Sequence, residues 1–240
     1  MRFGLFLSVF LFLAAMAHGA VKVDSGIFGA IEARSIGPAT MSGRIVAIDA
    51  VNNDSRIVYA GAASGGVWKS INGGITFKPV FDKYSQSIGA IAIDQTHPET
   101  VWVGTGESDT RNSSSIGTGL YKTTDGGENW QLIGLEKSER IARIAIDPKN
   151  SNTVYVAVPG HLWNANEDRG LYKTTDGGKT WQKILYINAD TGCSDVVIDP
   201  KNPTTLYAST WQFRRKPDFF TSGGPGSGIH KSVDGGKTWT

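Results

Sequence analysis

An eight-residue motif recurs four times along this chain and constrains its fold more than any other feature. Three copies read TTDGGENW (residues 123–130), TTDGGKTW (174–181) and SVDGGKTW (232–239). A more divergent copy, SINGGITF, occupies residues 70–77. From one copy to the next, the third residue of the motif advances by 53, 51 and 58 positions. A period near 50 is typical of the four-stranded blades of a β-propeller.

Short β-prone segments occur in the same order in each repeat. Predicted first strands are residues 88–94, 141–147 and 193–199, and predicted second strands are 101–103, 154–156 and 206–208. Predicted third strands are 67–69, 120–122, 171–173 and 229–231, and a fourth strand begins at the motif's aromatic residue. The sequence therefore predicts an all-β propeller of four-stranded antiparallel blades.

The blades are predicted at about residues 35–84, 85–137, 138–189 and 190–240, within a propeller region of 35–240. Because residue 240 follows the last motif directly, we expect the fourth blade to be incomplete. A repeat that stops without a capping element favours a fragment of a larger propeller.

Each motif is expected to form a structural hairpin. An Asp or Asn in a turn can accept hydrogen bonds from nearby backbone N–H groups, paired glycines allow positive φ, and a large aromatic ring can be buried between blades. The residues assigned this structural role are Asn72, Phe77, Asp125, Trp130, Asp176, Trp181, Asp234 and Trp239. A catalytic role for the three aspartates is disfavoured, because every blade repeats them.

The N-terminus resembles an export signal. Arg2 precedes an apolar run, and Ala15 and Ala17 offer a small-residue cleavage site, so residues 1–17 are predicted to be a signal peptide cut within 17–20. Residues 21–34 are then a linker, or part of a closing strand that could cover 27–38. Beyond this segment no membrane span is predicted, so we expect a secreted or periplasmic protein. Cys193, the single cysteine, aligns with Ile88 and Ile141 and is predicted to be a buried core residue.

Composition excludes some functions. The formal net charge is +2, so no nucleic-acid partner is expected. The four histidines are scattered without paired spacing, so neither a metal site nor another cofactor is predicted.

The motif resembles the Asp-box, or BNR, repeat of sialidases, xyloglucanases and the N-terminal propeller of sortilins. The similarity covers residues 35–240. Three further segments resemble exported bacterial propellers described as sortilin-like or glycosyl-hydrolase-like: residues 35–44, residues 104–107 with Arg111 and Asn112, and residues 222–228. The resemblance implies a propeller fold and leaves the activity open.

A sequence in the first blade bears on that activity. The corresponding xyloglucanase segment resembles YARTDIGGAYR, with a catalytic Asp, whereas residues 59–69 here read YAGAASGGVWK. Ala63 occupies the acid's position, which argues against xyloglucanase-type catalysis by this segment. Residues 43–46 resemble the arginine-containing motif of sialidases only weakly, so the sequence does not favour sialidase activity.

Ligand recognition is predicted in the loops between second and third strands, because these vary while the other turns are uniform. Weak candidates for catalytic acids are Glu107 and Asp168. The candidate ligand-binding residues are Glu107, Arg111, Asn112, His161, Trp163, Trp211, Arg214 and Arg215. Alternatively, Trp163 and Trp211 pack the loops against the blades, and residues 214–216 form a solvated loop.

Two functions remain in competition. The preferred hypothesis is an exported propeller that acts as a binding or scaffold module for protein or polysaccharide through the loops between second and third strands, and that contacts the remaining blades of a longer chain. The alternative is a glycoside hydrolase whose catalytic acids lie partly beyond this chain.

Overall fold

The computed structural model describes residues 44–240, and the predicted signal peptide and closing strand lie outside this range. The predicted all-β propeller fold is confirmed, with four antiparallel sheets. The first blade contains β1 Ile45–Val51, β2 Asp54–Ala62, β3 Gly66–Ser70 and β4 Lys78–Pro79. The second contains β5 Ile88–Ile93, β6 Val101–Thr105, β7 Leu120–Thr123 and β8 Gln131–Leu132. The third contains β9 Arg143–Ile146, β10 Val154–Val158, β11 Gly170–Thr174 and β12 Gln182–Leu185.

The fourth sheet departs from this order. Its strands are β13 Thr191–Ile198, β14 Leu206–Arg215, β15 Phe220–Ser222 and β16 Gly228–Ser232. β14 pairs with β13 through Gln212 and with β16 through Thr210, while its last three residues pair with β15 in an extended hairpin. Thr240 exchanges two backbone hydrogen bonds with Lys231, as the first residue of an outer strand would.

The β14–β15 hairpin corrects one prediction. The sequence places residues 209–228 in a loop, yet this segment continues as strand through Arg215 and returns through β15. Residues 214–216 are consecutive cations and residues 222–228 are rich in Gly and Ser, which favours a loop in sequence, whereas pairing of residues 213–215 with β15 extends the strand.

The hydrophobic core lies between successive blades. Each of its three clusters combines side chains from neighbouring sheets, such as Tyr59 and Val67 of the first blade with Val101 and Trp130 of the second. Phe81 contacts the rings of Tyr121 and Trp130 edge to face, at centroid distances of 5.2 and 5.1 Å. Because every β-sheet buries both faces except at the ends of the array, strands such as β6 and β10 are buried along their whole length.

Hydrogen bonds within each motif hairpin explain its sequence. In the second blade, Thr123 Oγ1 donates to Asp125 Oδ1 at 2.6 Å, and the backbone N–H of Asn129 donates to the same oxygen at 2.9 Å. Gly126 and Gly127 adopt φ of 71° and 98°, conformations that glycine takes without strain. Asp176, Asp234 and Asn72 make the equivalent bonds in the other three hairpins.

The motif tryptophans tie each blade to the one before it. The indole N–H groups of Trp130, Trp181 and Trp239 donate to the carbonyls of Val80, Ile133 and Ile184 at 2.8, 2.9 and 3.0 Å. Phe77 has no N–H to donate and remains exposed in the first blade.

The loops separate onto two faces. On the box face, the first glycine of each motif donates its N–H to the turn between the first and second strands, as Gly126 does to Glu99 and Gly177 to Asn152. On the loop face, the connections between second and third strands contact the segments that join one blade to the next. Examples are the bonds from Gly117 N to Glu139 O and from Phe213 N to Asp190 O. Among residues 44–240, no helix has the length and apolar character needed to cross a bilayer.

Candidate functional site

Charged side chains of all four blades form pairs on the loop face. The ion pairs are Arg44 with Glu107, Glu139 with Arg140, and Asp190 with Arg214, and the His161 ring also lies near the Glu139 carboxylate. A further bond joins the Arg215 guanidinium to the Asn112 side-chain carbonyl, so a loop of the second blade contacts the hairpin of the fourth. These contacts, called the polar network below, join different blades at two points, Arg44–Glu107 and Arg215–Asn112.

Glu107 lies inside this network with no exposed surface. Its side chain is 0% exposed and pairs with Arg44, and its backbone N–H donates to Ser87 Oγ at 3.0 Å. Its second carboxylate oxygen, Oε2, is buried without a hydrogen-bond partner among the described residues. The pair joins the first blade to the second.

Glu139 is a site residue that the sequence reasoning missed. Its backbone adopts φ of 54°, rare for a residue with a side chain, and its carboxylate accepts from Arg140 Nη1 at 2.9 Å. The other carboxylate oxygen lies 3.6 Å from His161 Nδ1, and His161 Nε2 lies 3.1 Å from Lys137 O. Burial lowers the pKa of Arg140, partly offset by the nearby Glu139. The sequence signal that marks this position is an adjacent Glu-Arg pair, Glu139-Arg140, directly before a predicted first strand, where the next repeat carries Thr191-Gly192.

Arg169 is the second residue that was missed. It is buried, donates to the carbonyl of Pro159 at 2.8 Å, and stacks over the Phe213 ring at 4.4 Å. Burial lowers the pKa of its guanidinium to about 10, so it stays charged at neutral pH. Arg169 therefore holds the loop of the third blade against β14.

The β14–β15 hairpin divides two cavities. Successive side chains of a strand point to opposite sides, so Arg214 turns towards Asp190 and Arg215 towards Asn112. A cavity of about 300 Å³ on the first side is lined by Asp190, Gln212, Phe213, Arg214, Lys216, Phe219 and Thr221. A cavity of about 370 Å³ on the second side is lined by Asp109, Thr110, Arg111, Arg215 and Phe220. Each cavity thus combines a carboxylate, an arginine and a phenylalanine.

The two candidate tryptophans have different surroundings. Trp211 packs against Phe213 and Phe220, with ring centroids 4.7 and 5.8 Å away, and so supports the hairpin. Trp163 keeps 44% of its surface exposed on the third-blade loop, next to Leu162, which is buried.

Asp168 lies apart from Glu107. It lines a cavity of about 320 Å³ with residues 135–138 and Tyr172, whose hydroxyl donates to the Asp168 backbone carbonyl at 3.0 Å. Ala63 is fully buried, and its N–H donates to Arg44 O at 2.9 Å. The described range contains no group of three or more His, Cys, Asp or Glu side chains placed to hold a metal ion.

Curated relatives are similar to most of this chain. A xyloglucanase of Paenibacillus sp is 25% identical, with 78% of this chain and 19% of the relative covered. A xyloglucanase of Hypocrea jecorina is 26% identical, covering 77% and 24%. A probable oligoxyloglucan-reducing end-specific xyloglucanase of Neosartorya fischeri is 28% identical, covering 83% and 21%. The chain spans between about a fifth and a quarter of the length of these relatives.

Solved structures share the fold. The crystal structure of an ancestral GH74 enzyme matches with a TM-score of 0.65 and 21% identity, covering 86% of this chain and 26% of its own. A GH74 enzyme of Niastella koreensis matches with a TM-score of 0.59 and 23% identity, covering 80% and 28%.

A family profile decides membership. The profile described as "Sortilin, neurotensin receptor 3" matches residues 65–191, which include the motifs of the second and third blades and more than half of the chain. The predicted resemblance to Asp-box propellers is thereby confirmed, and the chain belongs to the Sortilin-Vps10 family.

Proposed function

We propose that this chain is part of an exported propeller of the glycoside hydrolase type, and that its loop face binds a polysaccharide. The observation that carries the proposal is the pair of cavities beside the β14–β15 hairpin. Each cavity offers an arginine and a carboxylate that can hydrogen-bond to sugar hydroxyl groups, and an aromatic ring that can pack against the face of a sugar. The curated relatives, named as xyloglucanases, support a polysaccharide over a protein ligand.

The relatives also support hydrolysis more than binding alone, so the hydrolase interpretation is now preferred to a purely non-catalytic module. The carboxylates of this chain bear on whether its own residues can act as the catalytic acids. A glycosidase needs two carboxyl groups about 5 to 10 Å apart, flanking the scissile bond. Glu107 is buried in an ion pair, and Ala63 carries no carboxylate. We therefore propose that the chain contributes substrate binding and that catalytic acids come from outside residues 44–240.

Binding can be tested by affinity electrophoresis in gels that contain xyloglucan, with mannan as the comparison polysaccharide. We expect xyloglucan to retard the chain. Phe219→Ala and Arg215→Ala should each weaken retardation about tenfold, equivalent to about 1.4 kcal/mol. Ile75→Ala, an exposed apolar substitution on the box face, is the control and should have no effect. Equal retardation by xyloglucan and mannan, or no retardation by either, contradicts the proposal.

Hydrolysis is measured separately as reducing-sugar release from xyloglucan. We expect no turnover by this chain. Turnover that disappears in Glu107→Gln or Asp168→Asn would contradict the proposal that the acids lie elsewhere, while leaving the binding proposal intact.

A further inference from the structure

The hairpin formed by β14 and β15 carries more positive charge than its own residues balance. Arg214, Arg215 and Lys216 follow one another at the end of β14, and Asp218 is the single carboxylate within residues 213–222. Asp218 lies in the turn between the two strands and lines neither of the cavities beside the hairpin. The cations that line these cavities must therefore be balanced by other segments, or by a ligand.

The first of these cavities, called the third-blade cavity below, has a volume of about 300 Å³ and lies between the hairpin and the segment that follows the third blade. It is lined by two cations, Arg214 and Lys216, and by one carboxylate, Asp190, which pairs with Arg214. Lys216 has no carboxylate partner among residues 44–240. Its ammonium lies 4.9 Å from the centroid of the Phe219 ring, and Phe219 is 48% exposed. An unbalanced cation thus lies beside the exposed ring of this cavity.

A buried cation adds to the positive field at the third-blade cavity. Arg169 stacks over the ring of Phe213, which lines the cavity, and its guanidinium donates only to backbone carbonyls. Burial, followed by the nearby charge of Arg214, lowers the pKa of Arg169 to about 10, so it stays charged at neutral pH. Because carbonyl groups carry no net charge, they leave this charge uncompensated, and salt screens buried charges only weakly. Three cations therefore lie in or next to the cavity, against one carboxylate.

The other cavity, called the second-blade cavity below, repeats this arrangement with different residues. Its volume is about 370 Å³, and it is lined by Arg111 and Arg215 but by one carboxylate, Asp109, which lies 3.8 Å from Arg111. Arg215 donates to the side-chain carbonyl of Asn112, and its guanidinium lies 5.2 Å from the centroid of the Phe220 ring. Each side of the hairpin thus presents an aromatic ring next to a cation that no carboxylate of residues 44–240 neutralises.

We propose that the polysaccharide bound at the loop face is acidic, and that Lys216 and Arg215 each bind the carboxylate of a uronic acid whose ring packs on the adjacent phenylalanine. This inference rests on the proposed function and adds the class of sugar. A uronic acid bears its carboxylate directly on the sugar ring, so a cation beside the aromatic ring can reach it while the sugar face packs. Hydrogen bonds from arginine or lysine to a carboxylate are about twice as strong as those between neutral groups.

A neutral polysaccharide can pack its rings on the same two phenylalanines, but it leaves the charges of Lys216 and Arg215 unbalanced. Neutral and acidic polymers are therefore expected to share the site, with the acidic polymer bound more tightly. The useful comparison is between two ligands that differ in this charge and in little else.

Isothermal titration calorimetry of the purified chain at fixed ionic strength provides that comparison. The ligands are a short oligomer of galacturonic acid, the same oligomer with its carboxylates methyl-esterified, and a xyloglucan oligosaccharide. We expect the free acid to bind about tenfold more tightly than the ester, as a charge-assisted hydrogen bond would give.

Three variants locate the effect. Lys216→Gln should reduce the preference for the free acid to about threefold, because Arg215 remains in the second-blade cavity, and Lys216→Arg should retain the preference. Lys201→Gln is the matched control, since it removes the same net charge from an exposed lysine in the turn between β13 and β14 on the box face. Thermal melting verifies that each variant is folded.

Equal affinity for the free acid and the ester, with xyloglucan still bound, overturns this inference and leaves the proposed function intact. Binding of the free acid without any binding of xyloglucan supports the inference and contradicts the xyloglucan expectation above. An unchanged preference in Lys216→Gln, or an equal loss in Lys201→Gln, overturns the assignment to the hairpin. Dextran sulfate or polyglutamate bound as tightly as the galacturonic acid oligomer would show a general attraction to anions and would also overturn it.

Discussion

Glu107 of the second blade and Arg44 at the start of the first form an ion pair in which the carboxylate is fully buried and the guanidinium is partly exposed. A charged group without solvent contact depends on its partner, because the energy of its desolvation is otherwise uncompensated. The pair thus links the first blade to the second, and we expect it to affect the stability of the fold rather than a catalytic step.

Removing the arginine should therefore destabilise the fold. We expect Arg44→Ala to lower the free energy of unfolding by about 2–3 kcal/mol, below the full cost of a completely buried pair because Arg44 is partly exposed. Urea denaturation followed by tryptophan fluorescence measures this. The double variant Arg44→Ala/Glu107→Gln should recover part of the loss, and no recovery would contradict the ion-pair argument.

The lowered pKa values of the motif aspartates predict that the stability of the fold decreases in acid. The Thr123 hydroxyl, followed by the Asn129 N–H groups, lowers the pKa of Asp125 to about 2. Hydrogen bonds led by Thr180 and Thr238 lower the pKa values of Asp176 and Asp234 further. Because the folded pKa lies below the unfolded value, the stabilisation is present above about pH 4 and is lost as pH falls through the folded pKa values.

We accordingly expect the melting temperature to fall between about pH 4 and pH 2, and the fall to be smaller in the triple variant with Asn at positions 125, 176 and 234. Differential scanning calorimetry across this range is the measurement. Asn72, which makes the same bonds without titrating, shows that the hairpin accepts the amide. An unchanged acid profile in the triple variant would assign the effect to other carboxylates.

The hydrogen bond made by Trp181 predicts a loss of stability that is specific to this position. Trp181→Phe removes the hydrogen bond from its indole N–H to the Ile133 carbonyl, 2.9 Å long, and should cost about 1–2 kcal/mol of unfolding free energy. Phe77→Trp is the matched control. The Phe77 side chain is 37% exposed in the first motif hairpin, so we expect a change within about 0.5 kcal/mol. Equal changes in the free energy of unfolding for Trp181→Phe and Phe77→Trp, measured by chemical denaturation, would contradict the role of the carbonyl on the preceding blade.

Cys193 should resist modification in the native state. Its thiol is buried between the third and fourth blades, and burial raises its pKa to about 12. The thiolate fraction at pH 8 is then on the order of one in ten thousand. We expect iodoacetamide to label Cys193 only after unfolding, as mass spectrometry can show. Rapid labelling of the folded chain would mean that the blades separate locally.

The repeat alone determined the blade architecture. A recurring Asp-Gly-Gly turn specifies hairpins through local bonds such as Thr123 to Asp125, and these bonds depend on neighbouring residues only. The burial of Cys193 also followed from the sequence, because its position repeats that of Ile88 and Ile141. In both cases the information lies within one repeat or in the comparison of repeats.

Tertiary structure decided the loop face. The sequence predicts that Arg214 and Arg215 share a loop, but pairing of β14 with β15 makes them strand residues that line different cavities. Glu139 meets His161 from a loop 22 residues further along the chain, Arg169 stacks on Phe213 of the next blade, and the carboxylate of Glu107 pairs with Arg44, 63 residues away. The physical reason is that backbone turns are specified by local hydrogen bonds, whereas the burial and pairing of a charge depend on which distant segment packs against it.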